Sequence, residues 1–446
     1  ILKKTILFLL ITIFTNAQWS ISTSERNALI SIYNQTDGAN WSQSWDLEKD
    51  PYYWYGVKTS NGMVTELKLN GNLLKGNFPT SVFSLTNLKK LDLSSNKLYG
   101  EIPNLSSLSN LTYLNLSNND FTADVWSSYS NLPNLEEIYV GHNNCNISNT
   151  DFSGFSGLKS LDISKLNLTE IPASLGSLQK LSSLNVSNNA IVSFSNLSPL
   201  NQLQELNLAN NNLNKVPSEI INFISLKSLD LSNNIITDFS SLSNLINLEW
   251  LSLENNSLQN IPNQVSNLQK LIHLNLGRNK INGSTSILGT LNHLQQLWLN
   301  HNKLSGNIPQ DLLALPNLMC LSLQSNELEG TIPNNIPQIC NISNNRFSKT
   351  QIENYLNTNS NNTDFIYSPQ RYDNPKVIKA NLNSSTSLDQ ALSTSDGYSF
   401  TWLKTLDKNT YINSENLSIS SVKETDFDIY TCEAIFIKND TLYNIY

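Results

Sequence analysis

The segment from Leu226 to Ile236 reads LKSLDLSNNII, and its spacing, LxxLxLxxNxL, returns along most of the chain. Aliphatic residues hold the apolar positions, here Leu226, Leu229, Leu231 and Ile236, and Asn234 holds the fixed polar one. The alternation Leu229, Asp230, Leu231 has the period of a short strand with one wet and one buried face. Taken by its Asn position, the window recurs at Asn72, Asn96, Asn119, Asn143, Leu166, Asn189, Asn211, Asn234, Asn256, Asn279, Asn302, Asn326 and Asn345. The steps are 24, 23, 24, 23, 23, 22, 23, 22, 23, 23, 24 and 19 residues. A unit of that size cannot close a core alone, so its neighbours must stack on it and share one.

This pattern resembles the leucine-rich repeat family over residues 64–347, about 13 repeats. The resemblance implies an α/β fold: a right-handed solenoid with a parallel β-sheet on its concave face. Short strands and 3-10 or helical turns would form the convex face. LKGNFP (74–79), LYGEIP (98–103), LSGNIP (304–309) and LEGTIP (328–333) carry the LxGxIP segment of the plant-type subfamily. There Gly permits a tight turn and Pro fixes an extended stretch. LTEIP, LNKVP and LQNIP are shorter and lack the Gly. Four or five aliphatic side chains per repeat, at ~1.5 to 3 kcal/mol each when fully buried, are ample to offset ordering the turns. Asn after the strand satisfies both donors and acceptors where the chain turns inward. Leu166 cannot, which predicts a local gap filled by water or a shifted backbone.

Residues 1–17 read as a secretory signal: Lys3 and Lys4, an apolar run from Thr5 to Phe14, then small residues before Gln18. Their removal takes away two lysines, moving the net charge from -8 to -10. Such a surface is a poor partner for nucleic acid or an anionic membrane. No other segment is apolar enough to span a bilayer. The expected location is secreted, extracellular or cell-surface. Cys145 and Cys340 take apolar inward positions, Cys320 should face the concave side, and Cys432 has no evident partner, so no disulfide is expected.

Residues 18–63 read as an amino-terminal cap. Ser22 with Glu25 forms a capping box ahead of an apolar stripe, Ala28, Leu29, Ile32 and Tyr33. The following segment resembles the CxWxGVxC cap of plant-type receptors. Trp54, Gly56 and Val57 match it, while Tyr52 and Thr59 replace its cysteines. Packing of Trp41, Trp45 and Trp54 should then close the core in place of a disulfide. Residues 348–375 read as a carboxy-terminal cap and linker with FIYSPQRY as the last apolar patch. Residues 376–446 resemble a small all-β immunoglobulin-like sandwich: Trp402 is followed by Asp426, Tyr430 and Cys432, with Asp428 where Gly is usual.

The concave wall is built from the x positions of LxxLxLxx and is mostly Ser, Asn, Asp, Glu and Lys. One region departs: Trp250 and Glu254, His273 and Arg278, and Trp298 and His301 fall on three consecutive strands, with Met319 and Gln324 on the next. Exposed aromatics with a few charges among them are what binding hot spots use. A weaker patch comprises Tyr113, Glu137, Tyr139 and His142. For both groups, side chains merely packing on one another is the bland alternative. His142, His273 and His301 face the wall and His293 the convex edge, with no Asp or Cys to complete a metal set. No GxSxG, HExxH, P-loop or dinucleotide motif occurs in a suitable context, so no catalytic residue, metal or cofactor is expected. The leading reading is a recognition scaffold binding a protein partner. The alternative is a glycan-binding, adhesin-like protein using Trp250 and Trp298, and an enzyme comes third.

Overall fold

A computed structural model describes residues 20–122, 132–148, 150–193, 200–368, 370, 378–388, 399–404, 411–412, 416–426, 428–438 and 441–445. Residues 1–17, expected to be a secretory signal, lie outside them. The chain divides into two compact units, Ile1–Leu248 and Glu249–Tyr446.

In the first unit, helix Thr23–Gln35 is N-capped by Ser22, whose hydroxyl accepts the Glu25 N–H. The reciprocal half of the expected capping box is not formed. Glu25 turns away and its carboxylate accepts the Val64 N–H at 3.2 Å, tying the helix to strand Met63–Lys68. Burial pushes the Glu25 carboxyl above its usual range. The expected tryptophan packing is present: Trp45 stacks on Trp54 with ring centres 4.8 Å apart and meets Trp41 edge-on at 4.9 Å. All three are buried, and each indole N–H donates to a backbone carbonyl, of Thr36, Tyr55 and Asp46 for Trp41, Trp45 and Trp54.

Strand Val57–Ser60 pairs antiparallel with Met63–Lys68 through the Asn61-Gly62 turn, where both residues have positive φ. From there every strand is parallel and one repeat further on: Lys90–Asp92, Tyr113–Asn115, Glu137–Tyr139, Ser160–Asp162, Ser183–Asn185, Glu205–Asn207 and Ser228–Asp230. The central Leu or Ile of each strand is buried in a shared column. On the other side, the first two LxGxIP repeats form strands Lys75–Asn77 and Lys97–Gly100 of a second parallel sheet, as expected, and Asp120–Phe121, which lacks the motif, joins it as a third strand. The shorter repeats form single 3-10 turns instead, Ala173–Ser177 and Ser218–Asn222 among them.

The second unit repeats the scheme with Trp250–Ser252, His273–Asn275, Gln296–Trp298, Cys320–Ser322 and Ile339–Asn341 in parallel register. The 3-10 turns Asn263–Asn267 and Ser286–Thr290 lie behind it, with a short parallel pair where the LxGxIP motif returns. Gly330 has φ 85°, and a Cβ there would sit 2.0 Å from the Asn307 side-chain oxygen, so the motif's glycine is required both by conformation and by its neighbour.

The asparagines form the expected ladder. Asn234 accepts the Leu213 N–H and donates to the Leu208, Leu231 and Ser232 carbonyls, all at 3.0 to 3.1 Å. Asn302 does the same with Ile281, Leu276, Leu299 and Asn300. At Leu166 the amide rung is missing, and the neighbouring carbonyls keep the partners they have at other rungs: the Val140 carbonyl takes the Asn143 amide, the Ile163 carbonyl the Asn189 amide, and the Ser164 carbonyl the His142 N–H. The backbone has positive φ on both sides of Leu166, but the same holds around Asn72 and Asn256, so Leu166 imposes no conformation of its own.

The repeats also run further than expected. Helix Lys349–Thr358, with a complete Ser348–Gln351 capping box, leads into strand Phe365–Ile366, which pairs with Ile339–Asn341. Gln370 then acts as a further rung: it accepts the Phe347 N–H at 3.2 Å and donates to the Ile342 carbonyl at 3.0 Å and to that of Tyr367. FIYSPQ is therefore a repeat core with Gln in place of Asn, 25 residues after Asn345. Beyond it, the described strands form a four-stranded antiparallel sheet built around Ser399–Lys404 and Tyr430–Lys438, and an antiparallel pair, Thr386–Leu388 with Leu417–Ile419.

Candidate functional site

The parallel register sorts the outward side chains of each sheet into rows. In the second unit the first row is Trp250, His273, Gln296, Cys320 and Ile339, and the second is Ser252, Asn275, Trp298, Ser322 and Asn341. Two residues further, Glu254, Gly277, Asn300 and Gln324 take the corresponding places in the turns that follow, ahead of a row of left-handed residues that includes Asn255, Arg278, His301 and Ser325.

This placement corrects the expectation that all six main candidates lie on strands. Trp250, His273 and Trp298 do, whereas Glu254, Arg278 and His301 follow them in the turn. Arg278 and His301 have φ of 52° and 54°, a conformation that elsewhere in the chain falls mostly to Asn and Ser. Glu254 joins the pieces: its carboxylate pairs with the Arg278 guanidinium at 3.1 Å and accepts the Asn275 amide at 3.0 Å.

Trp250 and Trp298 are both half-buried on the outward face, and neither indole N–H has a hydrogen-bond partner among the described residues. They belong to different rows two strands apart. With strands ~4.8 Å apart and ~3.3 Å per residue along each, their Cα atoms are roughly 12 Å from one another. Met319 is 53% exposed beside them.

The patch that looked weaker is the more tightly joined. Tyr113 and Tyr139 pack with ring centres 5.6 Å apart. The Tyr139 hydroxyl donates to Glu137 at 2.8 Å and lies 3.2 Å from the Ser160 hydroxyl, while Asn115 donates to the Tyr113 hydroxyl at 3.3 Å. Burial, and then the Glu137 carboxylate, push the Tyr139 phenol up to about 12, so it stays neutral as a donor. Tyr113 is raised by the same burial. Lys90 lies over the Tyr113 ring, 5.9 Å from its centre. His142 is not on this strand but in the left-handed turn after it, with φ 59°.

A signal in the sequence separates these aromatics from their neighbours. At the second-row position the side chain usually caps the turn after the strand. Asp92, Asn115, Asp162, Asn185, Asn207, Asp230, Asn275 and Asn341 each accept the N–H two residues on at 2.9 to 3.1 Å. Tyr139 and Trp298 occupy this position and cannot do so. Trp298 gives up the cap with no hydrogen bond from its indole among the described residues in exchange, whereas Tyr139 exchanges it for contacts with Glu137, Ser160 and Tyr113.

Cys320 and Cys340 are not joined in a disulfide. Cys340 pairs in register with Leu321 rather than Cys320, and burial holds its thiol up at about 12. No group of three His, Cys, Asp or Glu residues able to hold a metal occurs among the described residues, and no described helix is long and apolar enough to cross a membrane.

Family models for the leucine rich repeat match residues 86–131, 156–258 and 293–315. The calmodulin-binding receptor kinase CaMRLK of Arabidopsis thaliana is 30% identical over 193 residues, 41% of this chain and 27% of that protein. The chain thus spans about a quarter of that relative's length. The ectodomain of the Arabidopsis thaliana receptor kinase GASSHO1/SCHENGEN3, solved in complex with Casparian strip integrity factor 2, is similar with a TM-score of 0.60 at 26% identity. The likeness covers 79% of this chain and 48% of that one. A leucine-rich repeat protein of Leptospira interrogans is similar with a TM-score of 0.56 at 26% identity, covering 68% of this chain and 84% of its own.

Proposed function

The chain carries leucine-rich repeats, and on that premise we propose that it is an extracellular or cell-surface recognition scaffold that binds a protein or peptide along the outward face of its parallel strands. The observation that carries this reading is the pair of positions, 139 and 298, where a turn-capping Asp or Asn gives way to a half-buried aromatic. Each ring is held on the sheet of its own unit before any ligand arrives, so little ordering cost falls on binding. The receptor ectodomain complexed with Casparian strip integrity factor 2 offers the analogy, and the kinase activity of such relatives stays with them.

The carboxy-terminal strands serve as an immunoglobulin-like spacer or second contact in this proposal. Its support is the register of Trp402 with Cys432 and the hydrogen bond from the Tyr430 hydroxyl to the Asp426 carbonyl, which is that fold's tyrosine corner.

Display of random peptides against the purified chain tests the reading, with Trp298→Asn and Tyr139→Asn as counter-screens. Enriched peptides that are lost on either variant support it. If peptide binding is indifferent to both, the sheet face is not the site. Binding on a glycan array that disappears in Trp298→Asn transfers the assignment to the glycan alternative.

A further inference from the structure

The first unit's sheet face changes character along its length. At its start, Glu66 pairs with Lys58 at 2.9 Å and with Lys68 at 3.2 Å, and Lys90 covers Tyr113. From the Glu137 strand to the Asp230 strand, the two outward rows read Glu137, Ser160, Ser183, Glu205, Ser228 and Tyr139, Asp162, Asn185, Asn207, Asp230. Four carboxylates stand in these rows without one Lys or Arg. None of the four has an ion-pair partner among the described residues. Lysines stand at the margins of these rows: Lys159 is paired with Glu136 at 2.9 Å, Lys227 precedes Ser228, and Lys165 stands in the left-handed turn.

Resting on the recognition reading above, we propose that this face seats a basic, extended peptide segment of the partner, with one arginine or lysine held against the Tyr139 ring between Glu137 and Asp162. Three independent observations meet here. The aromatic pair already takes a cation, since the chain's own Lys90 lies over Tyr113, and Tyr139 offers the same ring chemistry with no cation on it among the described residues. Asp162 is Tyr139's register partner on the next strand, with one carboxylate oxygen over the Gly141 turn that follows Tyr139, where a Cβ on Gly141 would meet it at 2.6 Å, and the other accepting the Asn185 amide at 2.9 Å. Glu137 is oriented by the Tyr139 hydroxyl through one oxygen and has its other oxygen without a hydrogen bond among the described residues. Further along, Glu205 and Asp230 continue the acidic track three strands, ~14 Å, beyond Glu137 and Asp162, a distance close to two alternate side-chain steps of an extended segment laid across the strands.

The test uses the whole chain and two labelled nonapeptides, one alternating arginine with serine and one alternating glutamate with serine, titrated by fluorescence anisotropy. The arginine peptide should bind and the glutamate peptide should not. The double variant Glu137→Gln, Asp162→Asn keeps the turn cap, as Asn185 does at the same place one strand on, and should weaken binding by about tenfold or more. The variant Glu101→Gln, Glu329→Gln, altered at exposed carboxylates off this face, should bind as the parent does. Equal weakening in both variants would mean general attraction to a chain of net charge -8 and would overturn the proposal. If the glutamate peptide binds instead and is lost in Tyr139→Asn, the charge assignment fails while the recognition reading stands. If display finds no ligand on this face at all, both fail.

Discussion

At the scale of single residues, the ladder asparagine does more than make contacts of its own, because each amide serves backbone groups on two repeats at once. Removing Asn234 would leave the buried Leu213 N–H without its acceptor and take one donor each from the Leu208, Leu231 and Ser232 carbonyls, of which Leu208 keeps the Asn211 amide and Ser232 the Asn210 N–H. Asn234→Ala should therefore cost about 1 to 3 kcal/mol in denaturant unfolding, toward the lower end because those two carbonyls keep a second donor; a change within error would refute the ladder's energetic role. The aromatic positions behave oppositely. Trp298→Asn and Tyr139→Asn install the turn cap found at Asn275 and Asn185, so melting temperature should hold or rise while ligand binding falls, as expected where stability was exchanged for a binding surface. A drop in melting temperature with binding intact would reverse the argument. Tyr139 also has a spectroscopic signature. Its phenol binds its proton more tightly folded than unfolded, so its stabilising contribution is complete below the unfolded value near 10 and is lost as pH rises through about 12. Ultraviolet titration of Tyr139→Phe should lack one phenol with a midpoint at about 12, and loss of a phenol near 10 instead would show that Tyr139 is not held half-buried on the sheet.

At the scale of elements, what could be read in advance was whatever the repeat dictates: strand positions, buried columns, the LxGxIP strands and the closed tryptophan end. Register was legible as well, because a parallel stack of equal units leaves one alignment. What escaped were features in which a different residue performs a known task. Gln370 supplies the amide from a longer side chain after an irregular step, so a search for Asn stops at Asn345. Glu25 was read as a helix cap because Ser-x-x-Glu is a local motif, yet its carboxylate serves a strand 39 residues away. The candidate residues were also half-legible: outward direction followed from alternation, but the left-handed turn holding Arg278, His301 and His142 breaks that alternation and moves them off the strands. If Gln370 is a true rung, Gln370→Ala should cost about 1 to 3 kcal/mol and speed hydrogen exchange at the Phe347 amide. Unchanged exchange there would reduce strand Phe365–Ile366 to a passive overhang.

At the scale of the whole molecule, a repeat array spreads its ligand contacts over many strands, so affinity and rate have different sources. The half-buried rings act at short range and govern dissociation, whereas the uncompensated carboxylates and the net charge of -8 act before contact and govern association. Salt separates the two, since the screening length falls from ~10 Å at 0.1 M to ~3 Å at 1 M. Association of the arginine nonapeptide should slow by about tenfold between low and high salt, with dissociation changed far less. In the Glu137→Gln, Asp162→Asn variant the salt slope should shrink without vanishing, because Glu205 and Asp230 remain in the same rows. In Tyr139→Asn the slope should be unchanged while dissociation quickens. Stopped-flow measurement of all three proteins decides the matter: a slope insensitive to the carboxylates, or a tyrosine effect confined to association, would show that charge and ring do not divide the labour in this way.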